Sequence, residues 1–196
     1  MNFRAKVIKI LVVLLLVAFN QSVLFSQEPN EFIRSVANEA SQIIAGNENK
    51  EAKIQKLKQI AKKSVDIKGL GSYTLGSYKK KISDNQKQVY YPLFERYFLK
   101  TFANRLVDYT DPKVNVVSQK KINEKYTIVS SILVATEKRP EIKIDWRVYT
   151  VDPENLLIRD LIIEGLSLAR TQREEFSSII QSNDENIDAL FASLEN

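Results

Sequence analysis

Apolar positions change their spacing near Asp111-Pro112, which divides the chain into a helical first half and a strand-rich second half. Before that point they recur at steps of three and four, the period of a half-buried helix. Phe32, Val36, Ala40, Ile43 and Ile44 mark one face of a helix over residues 31–44, with Asn30 as its expected N-cap and Gly46-Asn47 as its end. Ile54, Leu57, Ile60 and Ala61 mark a second over residues 50–65, whose wet side carries Lys53, Lys56, Lys58, Lys62 and Lys63. Ser83-Asp84-Asn85-Gln86 has the form of a capping box, in which the serine hydroxyl and the glutamine side chain satisfy each other's backbone N–H groups. It opens the longest helical pattern, where Tyr90, Phe94, Phe98 and Phe102 recur every fourth residue. Pro92 lies inside that pattern and predicts a kink or a break into two helices.

Beyond Pro112 the period becomes two. Strands are expected over residues 113–118, 126–136, 141–151 and 156–164, separated by Asn123-Glu124, Lys138-Arg139-Pro140 and Asp152-Pro153-Glu154-Asn155. The last of these suits a type I turn with proline at its second position. Connections this short make consecutive hairpins and hence an antiparallel sheet. In the third strand Ile142, Ile144, Trp146 and Val148 alternate with Lys143, Asp145 and Arg147, so one face is dry and one polar. The second strand sets Ile128, Ile132 and Val134 against Val129, Leu133 and Ala135, and the fourth sets Leu157, Leu161 and Ile163 against Leu156, Ile158 and Ile162. A sheet apolar on both faces needs a covering layer or a bound apolar ligand on each.

The fourth strand runs through Glu164-Gly165 into a helix over residues 168–181, for which Ser167 is the cap and Ala169, Gln172, Arg173, Phe176, Ile179 and Ile180 the inward positions. A short tail helix carries Ile187, Leu190, Phe191 and Leu194 as a lid or brace. The expected fold class is α+β, with N-terminal helices packed on a twisted antiparallel sheet of about four strands. The aromatic stripe of the long helix has two readings, solid core or a stripe whose upper part lines a cavity, and periodicity does not separate them.

The extreme N-terminus stands apart. Arg4, Lys6 and Lys9 precede an unbroken apolar run over residues 10–19, followed by Asn20-Gln21-Ser22. That is the layout of a secretory signal peptide, too short to span a membrane, with cleavage expected near Ser26 and a mature domain over residues 27–196. Its removal lowers the basic count from 29 to 26 against 24 acids, so the +5 of the full chain becomes about +2. Lys62-Lys63 and Lys79-Lys80-Lys81 read as solvated helix ends, and no basic stripe with interleaved aromatics points to nucleic acid.

The chain has neither cysteine nor histidine. Disulfides, Ser-His-Asp and Cys-His centres and most transition-metal sites are thereby excluded. Gly69, Gly71 and Gly76 lack the spacing and the preceding strand of a phosphate-binding loop and predict short helical turns with close packing. Carboxylate pairs such as Asp145 and Asp160 are available for acid/base work, although Asp145 lies on the polar side of its strand where Arg147 or a lysine or arginine of a neighbouring strand suits an ion pair.

Leu75-Gly76 with Tyr78, Gln86 followed by Tyr90, Phe94, Phe98 and Phe102-Ala103, Asp145-Trp146-Arg147-Val148, Asp160 with Glu164-Gly165-Leu166-Ser167-Leu168, and Arg173 three residues before Phe176 occur in order over the mature chain. In that series the chain resembles the periplasmic phospholipid-binding proteins of the Mla lipid-transport system, the MlaC-like or toluene-tolerance auxiliary family. It departs from the family pattern at Tyr78, where tryptophan is common, at Gln172, where an aromatic residue often stands, and at Pro92.

The resemblance implies a periplasmic carrier without enzymatic activity or cofactor, and a monomer is expected because no exposed heptad seam is visible. Such a carrier holds phospholipid in an apolar cavity and shuttles it between an outer-membrane lipoprotein complex and an inner-membrane ABC transporter with a lipid-binding ring. Lipid contacts are then expected from Tyr73, Leu75, Phe94, Phe98 and Phe102 in the helical half. The strands would add Ile132, Val134, Ile144, Trp146, Val148, Leu161 and Ile163, and the last joint Leu166 and Phe176. Arg147 and Arg173 are the expected headgroup or gate residues. A carrier of hopanoid or another apolar lipid, an NTF2-like cavity enzyme with an aspartate base, and an envelope adaptor without a pocket are the alternatives.

Overall fold

The computed structural model describes residues 27–195, so the signal peptide expected over residues 1–26 lies outside the described residues. Helix α1 spans Pro29–Ala45 and α2 spans Lys50–Ser64; α3, Ile67–Thr74, passes through a 3-10 turn, Gly76–Lys80, into the 24-residue α4, Asp84–Val107. A meander follows: β1 Val114–Asn123, β2 Tyr126–Leu133, β3 Ile142–Tyr149, β4 Leu157–Ile163 and the two-residue β5 Leu166–Ser167. Helices α5, Leu168–Gln181, and α6, Ile187–Glu195, end the chain. The sheet is antiparallel throughout in the order β1-β2-β3-β4-β5. The fold is α+β as expected, with a fifth short strand added.

Local chemistry sets most element ends. Asn49 caps α2, Asp66 caps α3 and Ser167 caps α5, each side-chain oxygen accepting a backbone N–H of the first turn. The capping box forms, with Gln86 N donating to Ser83 Oγ at 3.2 Å and Ser83 N donating to Gln86 Oε1 at 3.0 Å. Glu164 (φ 48°) and Gly165 (φ 82°) are both left-handed, as a two-residue hairpin turn requires, and they fold Leu166 back onto Ile163 before α5 begins.

Two helix expectations are corrected. Asn30 is not the cap of α1 but lies in its first turn, after Pro29, whose fixed φ suits that place. The Asn30 N–H is served by Gln119 Oε1 of β1 at 2.9 Å, a partner 89 residues away. Pro92 neither breaks α4 nor divides it. It lies exposed on the wet side, and the carbonyl it leaves unpaired belongs to exposed Gln88, which water can serve.

The register settles the faces of the sheet. Val129, Ser131 and Leu133 of β2 lie opposite Trp146, Ile144 and Ile142 of β3, all on the side covered by helices. Phe32 and Ile33 of α1 pack there on Val129, Val148, Leu156 and Ile158. Every buried residue of β2 and β3 lies on this face. The other face is left half-exposed: Ile128 and Ile132 stand opposite Arg147 and Lys143, whose stems can shield them.

A second core is purely helical. Tyr90, Phe94, Phe176 and Ile180 pack with Ile187, Leu190, Phe191 and Leu194 of α6, so the tail braces the helix layer.

A β-bulge between β3 and β4 changes the pattern of faces. Arg147 pairs with Asp160 but Val148 with Ile158, which leaves Arg159 as the extra residue. Strict alternation places Leu157 with Leu161 and Ile163. The bulge instead brings Ile158 to their side and turns Leu157 outward, opposite Tyr149.

Candidate functional site: an apolar cavity between helices and sheet

Between the helix layer and the covered sheet face lies an open-mouthed cavity of about 220 Å³. Its helical wall is Val36, Ala37, Ala40, Ser41 and Ile44 of α1, Leu57 and Ile60 of α2, and Phe98, Phe102 and Leu106 of α4. Its sheet wall is Val114, Leu133, Ile144, Trp146, Ile158, Leu161 and Ile163. Tyr109, Pro112 and Leu168 stand at one end, where Tyr109 and Leu168 are 38% and 37% exposed.

The cavity exists because α1 presents short side chains to it. Ala37, Ala40 and Ser41 fill little of the space between that helix and the phenylalanines of α4. Close packing elsewhere, as where Gly71 leaves no room for a Cβ beside Phe94 (2.8 Å), shows that the chain fills its core where it has the side chains to do so.

The polar atoms of Trp146, Ser64, Arg159 and Asp160 are satisfied locally. Trp146 Nε1 donates to Ser131 Oγ at 2.8 Å, Ser131 Oγ donates to the Ile144 carbonyl at 3.1 Å, and Ser64 Oγ donates to the Ile60 carbonyl at 2.7 Å. The Asp160 carboxylate, which also borders the cavity, accepts from Ser167 Oγ at 2.6 Å and from Ala169 N at 3.0 Å. It therefore fixes the start of α5. Arg159 donates to Asp66 Oδ2 at 2.6 Å and to Tyr126 OH at 3.0 Å, and its guanidinium lies 4.0 Å from the centre of the Tyr149 ring. Burial opposes the Arg159 charge, and Asp66 and Tyr126 more than offset it, so its pKa is raised. What remains for a ligand is a surface for hydrocarbon.

Of the residues expected to touch lipid, Phe98, Phe102, Ile144, Trp146, Leu161 and Ile163 line the cavity. The others lie elsewhere. Leu75, Phe94 and Phe176 are buried in the helical core, and Val148 is buried against α1. Ile132 lies on the outer sheet face, and Val134 is half-buried beyond the end of β2. Tyr73 and Leu166 are exposed at 41% and 51%.

Neither expected headgroup arginine borders the cavity. Arg147 stands across from Asp160 at 4.0 Å, and Arg173 lies over the Tyr73 ring at 5.5 Å, against the backbone of Gly76. The contribution of α1 to the cavity is not legible from its apolar periodicity, which marks only a face to be buried. Its signal was present in the small residues Ala37, Ala40 and Ser41 at helical spacing.

Comparison with known proteins gives a consistent result. A phospholipid-binding protein from Ralstonia solanacearum, solved in complex with a phospholipid, superposes with a TM-score of 0.72 over 86% of this chain and 96% of its own, at 18% sequence identity. That likeness establishes the shared fold. Residues 33–196, almost the whole described chain, match the family described as MlaC protein, and the chain belongs to that family.

Proposed function

We propose that this protein is a periplasmic phospholipid carrier. The observation that carries the proposal is the cavity itself, roofed by α1, α2 and α4, floored by the sheet, and lined by hydrocarbon. The Ralstonia protein of the same fold binds a phospholipid, which supports phospholipid over hopanoid as the cargo. Among the described residues no helix is long and apolar enough to cross a membrane. The carrier receives lipid from one envelope complex and yields it to another, an outer-membrane lipoprotein complex at one end and an inner-membrane ABC transporter with a lipid-binding ring at the other.

Two acyl chains hold about 30 methylenes, worth about 20–25 kcal/mol of transfer free energy at ~0.8 kcal/mol each. A cavity of about 220 Å³ is only modestly larger than the ~150 Å³ void that accepts benzene. The helix layer must therefore move off the sheet as chains enter, and a partner that favours one arrangement would load or unload the carrier. An enzymatic reading based on an aspartate fares worse, because both oxygens of Asp160 are already engaged in holding α5 and Asp145, 3.5 Å from Lys143, is not a residue of the cavity wall.

Lipid extraction from the purified mature protein, followed by mass spectrometry, tests the proposal. Phospholipid in near-stoichiometric amount is expected. Finding none, together with no uptake of added phospholipid, would overturn it, and recovery of hopanoid alone would redirect the cargo.

A further inference from the structure

Arg139 closes the tip of the β2–β3 connection, where Thr136 N donates to its carbonyl at 2.8 Å and its own N–H donates to the Thr136 carbonyl at 3.2 Å. These two bonds fix its backbone. Its side chain folds back along the strand end, with NH2 donating to the Val134 carbonyl at 2.9 Å and the guanidinium 5.4 Å from the centre of the Tyr109 ring. Arg139 does not itself line the cavity; it reaches it through Tyr109, which lines it together with Pro112, Val114 and Leu133.

One feature distinguishes this arginine. Its Nε is buried and has no hydrogen-bond partner, which is costly for a charged donor. Among the described residues no carboxylate forms an ion pair with it, a property it shares with Arg96, Arg105 and Arg173, whereas Arg34, Arg147, Arg159 and Arg170 each have one. An unneutralised guanidinium held over an aromatic ring that lines an apolar cavity offers what a phosphate needs, a positive charge fixed in place.

We propose that Arg139, held over the cavity-lining ring of Tyr109, binds the phosphate of the lipid whose chains occupy the cavity. The inference rests on the carrier reading and deepens it by assigning the polar end of the cargo to the Tyr109 end. The shared chemistry is a phosphate ester, and free inorganic phosphate is the other source that could satisfy it.

The test compares the wild-type protein with Arg139→Met, which keeps the apolar stem over Tyr109, and Arg139→Lys, which keeps the charge. Each is titrated with phosphatidylglycerol and with diacylglycerol of the same chains, and each is heated with and without inorganic phosphate. The wild type is expected to bind phosphatidylglycerol about tenfold more tightly than diacylglycerol. R139M should lose that preference through weaker phosphatidylglycerol binding alone, and R139K should keep part of it. Equal loss of both lipids in R139M would show a packing role and overturn the proposal, as would no loss of either. Inorganic phosphate that raises the Tm of the wild type but not of R139M, with both lipids bound alike, would assign the site to free phosphate and overturn the lipid contact. A wild-type protein that binds neither lipid overturns the carrier reading itself.

Discussion

The rings of Phe98 and Phe102 are stacked 5.6 Å apart at an interplanar angle of 17°, one turn from each other on α4, and both face the cavity. Phe94, one turn earlier and 6.2 Å from Phe98, is buried in the helical core with Phe176 across from it. One aromatic stripe thus serves as core at its start and as cavity wall at its end.

That division predicts unequal costs of truncation. Phe94→Ala opens a void in a filled core and should cost about 3–5 kcal/mol. Phe102→Ala removes a half-buried ring that already borders empty space, and about 1–2 kcal/mol is expected from the smaller area returned to water. Urea denaturation of both variants measures the difference, and equal losses would contradict the division of the stripe.

Filling the cavity should separate stability from lipid binding. Ala40→Leu adds apolar volume from α1 where the wall is open, so the change in stability should stay within about 1 kcal/mol or favour the variant. Lipid recovered by extraction should fall several-fold. An unchanged lipid content with a lowered Tm would place the added side chain outside the binding space.

Tyr90 predicts an alkaline limit to stability. Burial raises its pKa well above the ordinary 10.0, although a hydrogen bond with Thr74 works the other way. Its hydroxyl lies 3.0 Å from both the Gly71 carbonyl and Thr74 Oγ1, and Thr74 Oγ1 also donates to that carbonyl at 2.9 Å. Since the folded state holds the phenolic proton more tightly than the unfolded state, this contribution is complete below about pH 10 and is lost as pH rises further. Tyr90→Phe should lower stability at neutral pH by about 1 kcal/mol and flatten its decline above pH 10. Denaturation curves from pH 8 to 11 test both parts, and an unaltered alkaline decline in the variant would assign the effect to other groups.

Legibility in the sequence followed the range of the interaction. The Ser83–Gln86 box was readable because it is complete within four residues, whereas the Glu164-Gly165 hairpin was not, since the expected strand runs straight through it into the helix. The start of α1 was not, because Gln119 supplies the acceptor from β1. The fourth strand was recognised as apolar on both sides, yet its cavity-facing set depended on the bulge at Arg159, which strict alternation omits. Six of the cavity residues were found through large apolar side chains. The α1 wall was missed because a cavity is made as much by small side chains as by large ones.

The link between Asp66 and Arg159 joins the helix layer to the sheet, and its removal tests how firmly the two are held. Asp66 accepts the Gly69 N–H at 2.8 Å as the α3 cap and also holds the Arg159 guanidinium, while its own N–H donates to the Ile158 carbonyl at 2.9 Å. Asp66→Asn keeps a capping oxygen and removes the charge, so Arg159 is left without its carboxylate. With the Arg159 side chain 30% and the Asp66 side chain 17% exposed, solvent screens part of the interaction, and a loss of about 1–2 kcal/mol is expected. Asp66→Ala should cost about 1 kcal/mol more, the usual worth of a cap. A double-mutant cycle of Asp66→Asn with Arg159→Gln isolates the pair from the cap, and a coupling energy near zero would show that backbone pairing at Ile158 holds α3 to the sheet without the ion pair.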